Sequence, residues 1–200
     1  PEKRPLLEKH LKSGKILAGP WYTLPDMFLI SGEAIVRNLM RGHRIVESLG
    51  AKPMKAGYSP MSYGQTSQIP QIYKGFDIDS IMFYRGIDAY GIKNSEYILE
   101  GADGSRILGI KFSITMTRFN FRFNVFSGTI NKSIHGDPRI LFHGCDETSH
   151  NGIFSFLHTD FLKTWNPKGI VEGIERAKMQ VKDMATTNNL LLMDGFDASY

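Results

Sequence analysis

Asp79-Ser80-Ile81-Met82-Phe83-Tyr84-Arg85 holds an apolar run over residues 80–84, closed on each side by a charged residue. A strand with one face in water alternates polar and apolar residues, whereas an unbroken run of this length fits a strand covered on both faces. The preceding segment supports that setting: residues 65–74 read as a helix that stops at Gly75, so a helix feeds the run. The pattern recurs upstream. Ser31 can cap a helix, Glu33 favours its positive end, and Ile35, Val36, Leu39, Met40 and Val46 fall mostly on one face; Gly50 closes it before a strand over residues 54–57. Residues 5–11 carry Leu6, Leu7 and Leu11 at helical spacing, Gly14 ends them, and Ile16-Leu17-Ala18 reads as a short buried strand. Helix and strand therefore alternate, which implies an α/β fold with a parallel sheet between layers of helices.

Downstream the texture changes. Residues 97–100 and 106–111 flank Gly101-Ala102-Asp103-Gly104, an antiparallel hairpin signal built on Asp-Gly. Over residues 115–126, Phe119, Phe121 and Phe123 interleave with Asn120, Arg122 and Asn124, which suits a strand and equally a loop lining a polar cleft. Residues 132–148 read as irregular. Pro167 opens a late helix with Ile170, Val171, Ile174, Ala177, Val181 and Met184 on its apolar face, and Leu190-Leu191-Leu192-Met193 reads as a last buried strand.

Two hundred residues, 42% hydrophobic and 22% charged, describe one ordinary globular domain. No stretch approaches the roughly 18 apolar residues of a membrane span. The net charge of +4 is scattered, with Arg41 and Arg44 among its few clusters, so neither a membrane nor a nucleic-acid partner is expected. The one cysteine, Cys145, cannot form an internal disulfide and favours a reducing, cytoplasmic setting. A chain that begins at Pro1 points to a segment upstream.

Ligand groups in such folds sit at the carboxyl ends of the strands. That rule selects residues 19–22, 58–65, 85–86 and 194–197. Trp21 and Tyr22 with Asp26 combine aromatic faces and an acid, a combination that holds sugars; a packed tryptophan in a proline-bounded loop is the alternative. Gln65 belongs to a run of amides on the first turns of a helix, where exposed N–H groups and the helix dipole favour anions or hydroxyl oxygens. Asp194 follows the last strand directly and Asp197 follows the flexible Gly195. His143, Cys145, Asp146 and His150 have no recognised metal-ligand spacing, Cys145 lacks an activating cation, and His10 and His43 read as surface residues. The phenylalanine stripe reads as core.

Gly19-Pro20-Trp21-Tyr22-x-Leu24-Pro25-Asp26, Ser31-Gly32-Glu33-Ala34 with Arg37-Asn38-Leu39, Gly57-Tyr58-x-Pro60, Gly64-Gln65-x-Ser67-Gln68-x-Pro70-Gln71-Ile72 and Tyr84-Arg85-Gly86 together resemble the bacterial α-mannosidases of glycoside hydrolase family 38. The resemblance continues through Asp103-Gly104-Ser105-Arg106 to Met193-Asp194-Gly195-Phe196-Asp197. It implies that residues 1–200 form a single, partial catalytic domain: a seven-stranded α/β barrel that binds one zinc and cleaves α-mannosides with retention. By this resemblance Asp197 is the acid/base, Arg85 orients the nucleophile, and Trp21 and Tyr63 wall the sugar; Asp26, Gln65 and Asp194, read from their places after the strands, are further substrate-binding candidates, with Asp194 equally able to tie down its loop through backbone N–H groups. The nucleophile position itself, an aspartate in the family, aligns with Met61, and a thioether cannot serve as a glycosyl-accepting carboxylate. The family's zinc ligands would lie outside the chain or at Met61, so no metal ligand is assigned within it. The implied partners are an α-mannoside, the remaining domains of a parent chain, and a second copy if the protein is a homo-oligomer. A catalytically inactive carbohydrate-binding relative is the alternative reading.

Overall fold

The computed structural model describes residues 2–59, 64–83, 92–112, 121–126 and 167–193. The chain divides into two compact units, Pro1–Lys111 and Phe112–Tyr200. In the first, α1 (Arg4–Lys12), α2 (Gly32–Ser48), β1 (Gly57–Tyr58), α3 (Ile69–Lys74), β2 (Ser80–Phe83), β3 (Glu96–Glu100) and β4 (Arg106–Lys111) follow in order. Together the strands make a four-stranded sheet ordered β1-β2-β4-β3, parallel except for the β3–β4 pair. The seven-stranded closure expected from the family is not seen among the described residues, whose sheet has four strands.

Register explains where the core lies. Ile81 pairs with Gly57 and Gly109, and Phe83 with Lys111, so Ile81, Phe83 and Ile107 share one face of the sheet. That face is buried with Leu39 of α2, Ile69 and Tyr73 of α3, and Ile78. The opposite face, with Ser80 and Met82, is half-buried in β2 and opens to solvent at Leu108 and Ile98. The hairpin falls where the Asp-Gly signal puts it. Asp103 accepts from the Ser105 backbone N–H at 3.1 Å and hydroxyl at 2.6 Å, and the hydroxyl contact leads the effects that hold its carboxyl below the usual range.

α2 forms as its sequence predicts. Ser31 Oγ accepts from the Ala34 N–H at 3.2 Å, and Ile35, Leu39, Gly42 and Val46 are buried in a stripe of helical period. Met40 lies off that stripe and is exposed, a correction to the predicted apolar face. His43 also departs from expectation. Its ring meets Phe76 edge-on at 5.2 Å and its Nε2 is buried without a partner among the described residues. Burial, followed by the charge of Lys55, lowers its pKa.

Ile16-Leu17-Ala18 forms no strand, and Leu17 is 69% exposed. The cause is local: the Lys15 and Ile16 N–H groups both donate to the His10 carbonyl and finish α1, leaving only Ala18 to accept from Met54 at 2.8 Å. The strand expected over residues 54–57 is likewise reduced to Gly57–Tyr58.

In the second unit, α4 (Gly169–Val181) confirms the late helix, although Val171 on its predicted apolar face is exposed. Phe121–Phe126 is a π-helical turn, where alternation suggested a strand or loop. Its partner on α4 accounts for this. The Asn124 amide donates to Gln180 Oε1 at 2.9 Å, Arg176 donates to the Asn124 carbonyl at 2.7 Å, and Gly173 lies against the same backbone. Residues 190–193 are not in a strand; the Phe121 N–H donates to the Met193 carbonyl at 3.0 Å. No helix among the described residues is long and apolar enough to cross a membrane.

α2 also seats the loop over residues 19–26. Asn38 accepts from the Tyr22 and Thr23 N–H groups at 2.9 and 3.1 Å and donates to the Thr23 carbonyl at 2.7 Å. One turn on, Gly42 leaves room for that backbone: a Cβ there would lie 2.6 Å from the Trp21 carbonyl carbon and 2.7 Å from the Tyr22 nitrogen.

Two outcomes follow for stability. In the full-length protein Gly42→Ala should cost roughly 1–3 kcal/mol by overpacking, and Asn38→Ala about 1–2 kcal/mol through lost hydrogen bonds, both read by denaturant unfolding. Unchanged midpoints would show that the loop is held elsewhere. His43 supplies a pH effect. Its folded pKa lies below the ordinary 6.5, so below that value the unfolded chain binds a proton the folded chain resists, and stability falls as pH drops through 6.5 toward the folded value. His43→Gln should flatten that segment of the stability–pH curve; an unaltered curve would assign the effect to another group.

Candidate active site

Parallel β1, β2 and β4 end on one side of the sheet, and the residues that follow β1 carry the most chemistry there. Ser59 extends the pairing by one residue, its N–H donating to the Met82 carbonyl at 3.1 Å. The docked loop reaches this point through Trp21, whose indole N–H donates to the Tyr58 carbonyl at 3.0 Å while its ring lies 5.9 Å from that of Tyr73. Trp21 is thus half-buried and anchored, and Tyr22 beside it is exposed beneath the Arg41 guanidinium, 4.4 Å from the ring centre.

Gln65 closes the segment from the other side, donating from Nε2 to the Ser59 carbonyl at 3.4 Å. Among the described residues Ser59 Oγ, Gln65 Oε1 and Tyr73 OH are buried without a hydrogen-bond partner, and burial raises the Tyr73 pKa despite the contact with Trp21. Buried polar atoms are normally satisfied by protein, water or ligand. Three such atoms lie near the end of β1, with His43 Nε2 and Tyr97 OH the others among the described residues.

Asp26 sits half-buried in the same loop. Its Oδ1 accepts from the Phe28 N–H at 3.2 Å and its carbonyl from Leu29 at 3.1 Å, and the resulting turn presents Phe28 to solvent. One edge of the Phe28 ring lies against Gly64, where any side chain would collide with it. Trp21 and Gln65, selected from the sequence, are therefore hydrogen-bonded to Tyr58 and Ser59, and Asp26 bonds the Phe28 N–H within its own turn. Met61, Tyr63, Arg85, Asp194 and Asp197 lie outside the described residues, as do His143, Cys145, Asp146 and His150.

Sequence reading missed three residues of this region. Asn38 was visible as a polar residue within the buried side of an amphipathic helix, and Phe28 had no distinguishing signal inside Met27-Phe28-Leu29-Ile30. Lys111, at the carboxyl end of β4, is 2% exposed and donates from Nζ to the Ile92 carbonyl at 3.3 Å; the signal was a lysine closing an apolar strand. Among the described residues no group of three or more His, Cys, Asp or Glu could hold a metal ion, so these residues do not fit a zinc centre.

The family described as glycosyl hydrolases family 38 N-terminal domain matches residues 1–200. A Halalkalibacterium halodurans protein named mannosylglycerate hydrolase is 38% identical over 121 residues, covering 55% of this chain and 14% of that protein. Alpha-mannosidase G of Dictyostelium discoideum is 25% identical over 114 residues, 54% of this chain and 10% of that protein. The crystal structure of an alpha-mannosidase from Enterococcus faecalis V583 superposes with a TM-score of 0.62 at 28% identity, over 98% of this chain and 18% of its own. The chain thus spans a small part of the length of each relative. With residues 1–200 all covered by the family model, the chain belongs to the N-terminal domain of glycosyl hydrolase family 38.

Proposed function

We propose that the protein is a retaining glycoside hydrolase of α-mannosidase type, with its substrate site at the carboxyl end of β1. The family match over residues 1–200, together with Trp21 and Gln65 hydrogen-bonded at that strand end, supports the reading. Trp21 and Tyr63 wall the mannose ring, and Asp26, Gln65 and Asp194 meet its hydroxyls. Asp197 holds a proton and delivers it to the leaving oxygen, and Arg85 orients the group opposite. Retention needs a second carboxylate about 5 Å from the first to form the glycosyl-enzyme ester. Met61 stands in its place. The parent family implies zinc, but the described residues offer no cluster to hold it, and no step is assigned to it. The barrel of seven strands belongs to the same proposal, as does a cytoplasmic setting.

Met61 favours a second reading, a carbohydrate-binding relative that keeps the sugar site without the chemistry. The two separate in one experiment. In the full-length protein Met61→Asp should raise turnover of aryl α-mannosides on the order of 10²–10⁴-fold, the range a well-placed catalytic group contributes. Equal turnover with Met or Asp at residue 61 would place the nucleophile elsewhere. No turnover in either protein, with methyl α-mannoside still bound, would establish the binding reading. In the Met61→Asp background, Asp197→Asn should abolish hydrolysis of methyl α-mannoside while sparing dinitrophenyl α-mannoside, whose leaving group needs no proton. A uniform loss on both substrates would remove Asp197 from the acid role.

A further inference from the structure

His43 on α2 is a half-buried titratable residue to which the proposed chemistry gives no task. Its ring meets Phe76 edge-on at 5.2 Å, and Phe76 belongs to the turn that carries α3 into β2. Nε2 is buried with no partner among the described residues. The turn itself is fixed from elsewhere. Asp77 takes a left-handed φ of 55°, the Ile78 N–H donates to the Tyr73 carbonyl at 2.9 Å, and Lys55 Nζ donates to the Phe76 carbonyl at 2.6 Å. The ring contact therefore joins α2 to a turn with little freedom to follow it. On α2 the residue before His43 is Gly42, which lies against the Trp21 and Tyr22 backbone, and a turn earlier is Asn38, which accepts from the Tyr22 and Thr23 N–H groups. One stretch of helix is thus pressed on the turn by His43 and on the loop by its neighbours.

We propose that His43 is an acid-sensitive latch: proton uptake by its ring parts α2 from the turn over residues 75–79 and, through Gly42 and Asn38, frees the loop over residues 19–26. The charged groups around the ring set the direction. An imidazolium needs an acceptor at each nitrogen, and the buried Nε2 has none among the described residues. Lys55, bonded to the turn, is a second cation beside it. Glu47 on α2 and Asp77 in the turn act the other way, but the Asp77 side chain is 92% exposed and Glu47 is exposed too, so water screens both. Lys74 and Asp79, the flanking charges of the turn, pair with each other. Burial first and Lys55 second therefore prevail, and the folded pKa lies below 6.5. The open form keeps the ordinary value, so opening is favoured as pH falls below 6.5 toward the folded value and is not favoured above it. The latch operates whatever the site binds.

Hydrogen exchange of the full-length protein, read by mass spectrometry at about pH 7.5 and about pH 5.5 and corrected for intrinsic rates, tests the latch. Protection of the peptide over residues 19–26 should lie below that of β4 at both pH values, because release of the loop stops short of unfolding. It should also fall on acidification by up to about tenfold, the limit for uptake of one proton at one unit below an ordinary histidine pKa. His43→Phe keeps a ring for Phe76 and cannot titrate, so it should leave the protection of residues 19–26 the same at both pH values. His43→Gln, equally without charge, should do likewise and guards against a misfit of the larger ring. Any of three results overturns the proposal. The first is protection of residues 19–26 that does not change with pH in the unmodified protein, and the second is a fall with pH that survives in a folded His43 variant. The third is protection equal to that of β4 throughout, which would mean that the loop opens only when the sheet unfolds.

Discussion

Every group that the loop over residues 19–26 brings to the end of β1 arrives by way of one stretch of backbone, and two residues a turn apart on α2 hold that stretch. Asn38 supplies two acceptances and one donation to Tyr22 and Thr23, and Gly42 supplies the absence of a side chain. The first is directional and the second steric, so they constrain different freedoms. Hydrogen bonds fix the register of the loop along the helix; close approach fixes its distance. Trp21 then completes the link by hydrogen-bonding Tyr58, which ties a helix, a loop and a strand of only two residues into one unit. A strand that short gains little from its own ladder, and its position depends on what is fastened to it.

The same economy explains the chemistry of the region. Ser59, Gln65 and Tyr73 carry polar atoms that folding has removed from water without a replacement partner among the described residues. In a core of Leu39, Ile69, Ile78, Ile81 and Phe83 such atoms are costly, because the surrounding apolar side chains offer nothing in exchange. Three of the five such atoms among the described residues lie near the end of β1, and the other two are His43 Nε2 on α2 and Tyr97 OH on β3.

Much of this was legible in the sequence wherever the deciding interaction was local. The α2 cap at Ser31 and the Asp-Gly hairpin formed where the residues put them because each depends on neighbours within a few positions, and the run at Ile81 to Phe83 formed because an unbroken apolar strand suits the central place between β1 and β4. The failures share a cause. Ile16 to Ala18 had the composition of a strand, but the preceding helix took the N–H groups a ladder needs. Alternation before and within Phe121–Phe126 had the period of a strand, but α4 offered Asn124 partners that a helical turn satisfies. Met27 is buried and Phe28 exposed although both are apolar neighbours. Which of two adjacent apolar residues faces inward in a turn is set by the Asp26 hydrogen bond, and composition does not report it.

The clasp between the π-helical turn and α4 limits how this part of the molecule can vary in length. Gly173, Arg176 and Gln180 meet the turn because helical spacing brings them to one side of α4. Each added or deleted residue turns the remainder of a helix by about 100°. A single insertion between Gly173 and Gln180 would therefore swing either the glycine gap or the amide acceptor away from Asn124, whereas the same insertion beyond Val181 would leave the clasp whole. Relatives that differ in length through this segment should carry their extra residues outside α4, so the helix works as a ruler for the chain on either side of it.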